Sequence, residues 1–256
     1  MLKLACWNVN SIKIRLEQVI KWLQENNIDI LAIQETKTLD EQFPMQEFKN
    51  YGYHVICSGQ KTYNGVAIVS RFPIKHVLKD IAGFEDPQRR ILAATTGNIR
   101  LINLYVPNGS LVGSDKYEYK MNWLNYVTKF IQQEMAEHEH VAVVGDFNIA
   151  PEDRDVHDPL EWEGSVMVSP LERKAFTTFT SLGLYDSFRK FERNEQVYSW
   201  WDYRAGSFRR NRGLRIDHIL LSNSLNSKCI SSEIDSGPRR AERPSDHAPA
   251  WVSLDH

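Results

Sequence analysis

Six polar tips recur along this chain, each beside an apolar run: Asn8 and Asn10, Glu35, Tyr105 and Asn108, Asp146 and Asn148, Asp217, and the triplet Ser245-Asp246-His247. Taken singly, each fits a solvent-facing strand end, a turn or a helix cap. Taken together they form one chemical inventory of carboxylates, amides, a phenol and an imidazole, with no clustered cysteines or histidines. Such an oxygen-rich set suits a hard divalent cation, Mg²⁺ with Mn²⁺ as its substitute, rather than zinc. A divalent ion, an imidazole and amide donors can neutralise the charge that builds on a phosphorus centre under attack. An aspartate can orient or deprotonate the attacking water. Phosphodiester hydrolysis needs its barrier lowered by ~20 kcal/mol, whereas one general base contributes about 10²–10⁴ in rate. A metal and several oriented donors must therefore act together, and this chain has a candidate for each.

The elements around the tips read as strands and helices in alternation. Residues 2–9 form an apolar strand, residues 13–26 an amphipathic helix with Ser11 as its cap, and residues 28–34 a second strand ending at Gln34-Glu35. A strand, a helix and a strand with a polar tip make an α/β unit whose chemistry lies at the strand's carboxyl end. Short strands follow over 53–58, 65–71, 74–79, 91–96 and 99–105, with Gly97-Asn98 as a hairpin turn. The pattern over 115–135 is helical, 139–145 is a buried strand before Asp146, and 171–182 is a helix stopped by Gly183. Strands over 215–221 and 248–254 close the chain. Many strands and few helices predict an α/β fold, a four-layer sandwich of two packed mixed β-sheets flanked by helices. No linker or internal repeat divides it, so 1–256 reads as a single catalytic domain.

Composition narrows the class. The 256 residues are 42% hydrophobic and 11% aromatic with seven tryptophans, which excludes a disordered chain. Cys6, Cys57 and Cys229 are odd in number and widely spaced, against a disulfide framework and for a reducing compartment. The start has no run long enough for a signal peptide and no later run reaches spanning length, so a soluble, cytoplasmic protein without membrane association is expected, a monomer by default. The formal charge of −2 hides an asymmetry: Arg204 to Arg243 holds nine basic residues against four acidic ones, leaving −7 for the remainder. A solvated face explains such a run, and so does a track for phosphates, which arginine forks match; composition does not choose.

The blocks that carry the tips resemble the exonuclease III/apurinic-apyrimidinic endonuclease family of DNA repair enzymes, within the endonuclease/exonuclease/phosphatase superfamily. The likeness runs nearly end to end, through Trp7-Asn8-Val9-Asn10, Gln34-Glu35-Thr36-Lys37, Tyr63-Asn64-Gly65-Val66-Ala67, Gln88-Arg89-Arg90, Asn103-Leu104-Tyr105-Val106-Pro107, Gly145-Asp146-Phe147-Asn148, Trp200-Trp201-Asp202-Tyr203, Arg212-Gly213-Leu214-Arg215-Ile216-Asp217 and Pro244-Ser245-Asp246-His247-Ala248-Pro249. Order and spacing are those of a bacterial member. The resemblance implies that Glu35 holds Mg²⁺, with Asn8, Asn10 and Asp246 in or near its shell and Asp146, Asn148 and His247 beside it. It implies that Asp146 activates water with help from Asn148, that His247, paired with Asp217, contacts the scissile phosphate, and that Tyr105 sits by the phosphate or the leaving 3′-oxygen. Lys37 and Asn108 are implied on the phosphate side, Trp200 and Leu214 as the lining of a pocket for a flipped abasic sugar. Arg204, Arg209, Arg210 and Arg212 fall where the family places a DNA-facing loop, with Arg71, Arg89 and Arg90 as extensions of the track.

The implied activity is Mg²⁺-dependent hydrolysis of double-stranded DNA, 5′ to abasic sites and at blocked or ordinary 3′ ends. An alternative is a 3′-end specialist with little abasic-site cleavage. It rests on residues 151–170, which carry six acids against Arg154 and depart from the family's pattern. If Met167 overhangs the pocket, its bulk narrows entry for an abasic site; a methionine filling a gap under a loop is the plainer reading. Inositol-phosphate or sphingomyelin hydrolysis is disfavoured by Trp200 and Leu214 beside an arginine loop, and a secreted deoxyribonuclease by the missing leader and disulfides. A silent nucleic-acid binder predicts a broken acid set, whereas Glu35, Asp146, Asp217, Asp246 and His247 all stand.

Overall fold

A computed structural model of the chain describes residues 1–191 and 196–255. Strand β1 (Leu2–Asn8), helix α1 (Ile12–Glu25) and strand β2 (Ile30–Gln34) open it. β1 and β2 run parallel, with Leu4 beside Ile30 and Asn8 beside Gln34, so their carboxyl ends finish together. A parallel pair needs a crossover; α1 supplies it, packing Ile12, Val19, Trp22 and Leu23 against Trp7 and Ile33 on the outer face. Helix α2 (Met45–Lys49) and strands β3 (His54–Ser58) and β4 (Val66–Ser70) add an antiparallel flank.

The second sheet repeats this plan. Strands β5 (Lys75–Leu78), β6 (Ile91–Thr96) and β7 (Ile99–Tyr105) are antiparallel neighbours. Gly97 and Asn98, at φ 55° and 63°, make the two-residue hairpin that their identities predict, since both positions of a type I′ turn need positive φ. Helix α3 (Asp115–Glu137), capped by the Ser114 side chain, crosses to β8 (Val141–Asp146), which lies parallel to β7. Helices α4 (Pro159–Trp162) and α5 (Pro170–Ser181) precede β9 (Leu184–Asp186), and β10 (Asp217–Ser222), helix α6 (Asn223–Lys228), β11 (Cys229–Ile234) and β12 (Ala250–Leu254) complete the chain. The sheets are ordered β11-β12-β1-β2-β4-β3 and β5-β6-β7-β8-β10-β9.

Three apolar layers hold this together. Leu4, Ile30, Ile68, Leu101, Val144, Ile219 and Val252 meet between the sheets; Val143, Leu220 and Ile102 pack outward on α3 and α5; the third layer is that under α1. Each fully buried chain of this size contributes about 1.5–3 kcal/mol, so the layers fix the register of every strand. That register sets Tyr105, Asp146 and Asp217 in one row across β7, β8 and β10. Gly145 at φ 134° is needed there: a Cβ would stand 2.0 Å from the Leu104 carbonyl oxygen, so no other residue lets β8 lie against β7 just before Asp146.

The four-layer sandwich is as expected, and the strand and helix spans agree within a few residues. Ser11 does not cap α1 by its side chain; at φ 93° its backbone N–H goes to the Glu35 carbonyl (2.8 Å), and Ile12 N–H goes to Thr36 (3.2 Å), so the loop after β2 starts the helix. β9, β11, α2, α4 and α6 were not expected. They are short, or, like Cys-Ile-Ser-Ser-Glu-Ile in β11, lack the alternation that marks a strand. Among the described residues, no helix is long and apolar enough to cross a membrane.

Candidate active site

Asn8 ties the two sheets at their shared end. Its side-chain NH₂ donates to Glu35 Oε1 (2.8 Å), from the loop after β2, and to Asp146 Oδ2 (2.9 Å), from the tip of β8. Its own oxygen accepts from the Asn10 backbone N–H (3.0 Å). One amide thus holds two carboxylates from opposite sheets at a fixed separation. Asn148, at φ 47°, returns its backbone N–H to Asp146 Oδ1 (2.9 Å).

His247 completes the centre. Its Nδ1 lies 2.8 Å from Asp217 Oδ2 and its Nε2 3.7 Å from Asp146 Oδ2, all nearly inaccessible. Burial alone would push the imidazole down, but the Asp217 and Asp146 carboxylates override it and raise it to about 10. The two carboxylates thus favour the imidazolium form of His247, with its Nε2 edge facing Asp146. Asp146 is pushed up to about 7, first by burial and then by the Asp217 charge, against the opposing pull of His247 and Asn8. The Tyr105 phenol is held well above its usual range by burial and by Glu35, with the Arg90 guanidinium 4.5 Å over its ring. It is a proton donor, not a phenolate.

The remaining expected residues surround this centre. Lys37 Nζ lies 2.9 Å from Glu35 Oε2 and also donates to Asn10 Oδ1. Asn10 Nδ2 donates to Asp246 Oδ1 (3.0 Å), whose other oxygen accepts from Trp200 Nε1 (3.1 Å). The Trp200 backbone pairs with both Leu214 and His247, and its indole, bonded to Asp246, packs against an apolar wall of Leu214, Met167, Val156 and Ile216. Asn108 Nδ2 reaches Asn148 Oδ1 (3.2 Å). Arg212 is not brought to the centre: its guanidinium pairs with Glu161 and sits 3.2 Å from His157 Nε2, on the acidic loop.

Three supports went unread in the sequence. Ser199 Oγ accepts from the N–H groups of Ile216 and Asp217 (3.0 and 2.9 Å). Ser245 Oγ donates to the Asn8 carbonyl (2.7 Å) and accepts from His247 N–H (3.2 Å). Arg15 donates to the carbonyls of Asn10, Arg243 and Pro244, joining the Asn10 loop to the loop of Asp246. Little local signal marks them, because every partner but Asn10 and His247 lies far along the chain.

Glu35, Asp146 and His247 offer ligand atoms within 4.8 Å of one another. The donor chemistry fits a hard cation on the two carboxylates, on which an ammonium and an amide NH₂ already converge.

The chain is similar to known proteins over its whole length. The profile of the endonuclease/exonuclease/phosphatase family matches residues 5–247. An exodeoxyribonuclease III of Haemophilus influenzae is 34% identical, across 99% of this chain and all of that one. Among solved structures, a 3′ phosphatase from Neisseria bound to a product DNA hairpin superposes with a TM-score of 0.98 at 42% identity, and an AP endonuclease from Archaeoglobus fulgidus with 0.96 at 40%, both covering each chain completely.

Proposed function

The chain belongs to the endonuclease/exonuclease/phosphatase family, as a hydrolase of the exodeoxyribonuclease III type, and from that premise we propose that it is a Mg²⁺-dependent phosphodiesterase of duplex DNA repair. It acts 5′ to abasic sites and on 3′-blocking groups and 3′ nucleotides. The observation that carries this reading is the Asn8-bridged pair of Glu35 and Asp146 beside the His247–Asp217 couple.

In all these reactions the same bond, P–O3′, breaks, which is why one site serves them. A water beside Asp146 gives its proton to that carboxylate as its oxygen attacks phosphorus. The His247 imidazolium, oriented by Asp217, and the Tyr105 O–H meet the charge developing on the phosphate oxygens and the leaving 3′-oxygen. Glu35, with Asp146, would hold Mg²⁺, which when bound supplies Lewis-acid neutralisation of the phosphate. Lys37 and Asn108 stand where they would contact flanking phosphates. Arg204, Arg209 and Arg210, on the loop after Trp200, supply positive charge to the duplex, and binding falls steeply with salt.

A second reading is favoured by Met167. It is only 6% exposed and packs with Leu214 and Trp200, the residues proposed to line the abasic-sugar pocket. A filled slot leaves the phosphate site intact and disfavours an extrahelical sugar, as in a 3′-end specialist. Two labelled duplexes, one with an internal abasic analogue and one with a 3′-phosphate, separate the readings. Cleavage of both supports the full repair activity; cleavage of the second alone, with the first recovered in Met167→Ser, supports the specialist. No Mg²⁺-dependent cleavage of either contradicts both.

A further inference from the structure

Behind the site lies an ion pair that the chemistry above does not use. Lys120, on α3, and Glu172, on α5, have wholly buried side chains and contact each other directly. The ammonium has three donors. One goes to Glu172, one to the Asn108 carbonyl (3.1 Å) and one to the Asn148 carbonyl (2.8 Å). Each carboxylate oxygen is also occupied: Oε1 accepts from Met167 N–H (3.0 Å), and Oε2 accepts from Ser169 N–H (3.1 Å) and Ser169 Oγ (2.6 Å).

This pair therefore grips three loops at once. On the lysine side are the two loops that carry Asn108 and Asn148, and Asn148 in turn fixes Asp146 through its backbone N–H. On the glutamate side is the segment holding Met167 at φ 74°, a conformation a methionine adopts only under constraint. The Met167 carbonyl closes the circuit by accepting from Ala150 N–H (2.8 Å), two residues beyond Asn148. Apolar residues of like volume often substitute for the charges of a buried pair. What an apolar pair cannot do is hold two carbonyls and two backbone N–H groups at set positions.

We infer that Lys120 and Glu172 are positioning residues, a brace that sets the Asp146–Asn148 side of the site and the Met167 side of its pocket together. The inference rests on the nuclease reading, and wild-type cleavage of the 3′-phosphate duplex is measured first to test that reading separately. The decisive variant is the double replacement Lys120→Met with Glu172→Met, which leaves no unpaired charge. It is expected to melt several degrees below wild type, because the Asn108 and Asn148 carbonyls and the Met167 and Ser169 N–H groups lose their partners, and to lose kcat by about 30-fold or more with a smaller rise in KM for the 3′-phosphate duplex, because the water-activating carboxylate shifts together with the Asn108 loop. Glu172→Gln, a near-isostere that keeps an acceptor but leaves the Lys120 ammonium without a counter-charge, is expected to lose more stability than the double variant, to lose kcat about three- to tenfold where it folds and to alter the ratio of abasic-site to 3′-end cleavage. Wild-type kcat and an unchanged ratio in either folded variant overturn the brace. So does failure of both to fold, which makes the pair a folding requirement rather than a positioning device.

Discussion

Asp217 and His218 are neighbours on β10, yet they belong to two polar clusters of opposite kind. Asp217 points between the sheets, where, among the described residues, the cations in ion-pair contact with Glu35, Asp146, Asp217 and Asp246 are His247 and Lys37. His218 points outward, where Arg215 and Arg189 meet Asp155 and Asp186. There Arg215 Nε lies 2.6 Å from Asp155 and its Nη2 2.8 Å from Asp186, and the imidazole, driven down to about 4 by burial and then by Arg215, stays neutral between Arg215 and the Ile149 carbonyl. The outer cluster is balanced, two charges against two; the inner one holds an excess of carboxylates. A balanced cluster has reached its resting state with what the chain provides, while an acid surplus at strand tips calls for a cation to complete it.

The comparison breaks most visibly under substitutions that should act on one cluster and spare the other. Asp146→Asn keeps the shape and the Asn8 contact but removes the proton acceptor, and its kcat on a 3′-phosphate duplex is expected to fall by about 10²–10⁴ while gel-shift affinity holds. Arg215→Met does the reverse. It strands Asp186 in the interior and leaves Asp155 with Arg189 alone, so thermal or denaturant melts should show a loss of about 3–5 kcal/mol, with kcat unchanged well below the new midpoint. Loss of turnover without loss of stability in Arg215→Met would erase the distinction between the clusters.

Acid sharpens it further. The unfolded chain protonates His218 at its ordinary value near 6.5, while the native chain resists until about 4. The stability contributed by the neutral imidazole is therefore complete above pH 6.5 and is lost as the pH falls towards 4, amounting to about 3 kcal/mol across that window. Denaturant titrations between pH 7 and 4.5 should show a steeper decline in wild type than in His218→Gln. The smallest effect belongs to the inner cluster: Mg²⁺ at ten times its Kd should stabilise wild type by about 1.4 kcal/mol, and Asp146→Asn by less. Equal stabilisation of both proteins would remove Asp146 from the cation site.

The inner cluster was more legible in the sequence than the outer one. Glu35, Asp146 and Asn148 follow apolar runs directly, so the strands that place them and the chemistry they share are read from the same few residues. Arg215 looked like one more member of a basic run, because its partners Asp155 and Asp186 lie 60 and 29 residues away. Arg212 has its acidic partner Glu161 in a loop that charge counting treats separately. Ser11 occupies a cap position by residue type, but its φ, imposed by the Glu35 loop, turns the side chain away from that task. Local pattern reports what a segment prefers, and only packing reports what its side chains meet.

Because abasic-site and 3′-end readings share one phosphate site, the most direct test of the account is turnover of a single 3′-phosphate duplex by wild type, Asp146→Asn and Arg215→Met, each in Mg²⁺ and after EDTA. The account predicts that wild type and folded Arg215→Met release phosphate at similar rates in Mg²⁺ and stop in EDTA, and that Asp146→Asn is nearly silent in both. Wild-type turnover that survives EDTA, or an Asp146→Asn protein with wild-type kcat, would contradict it.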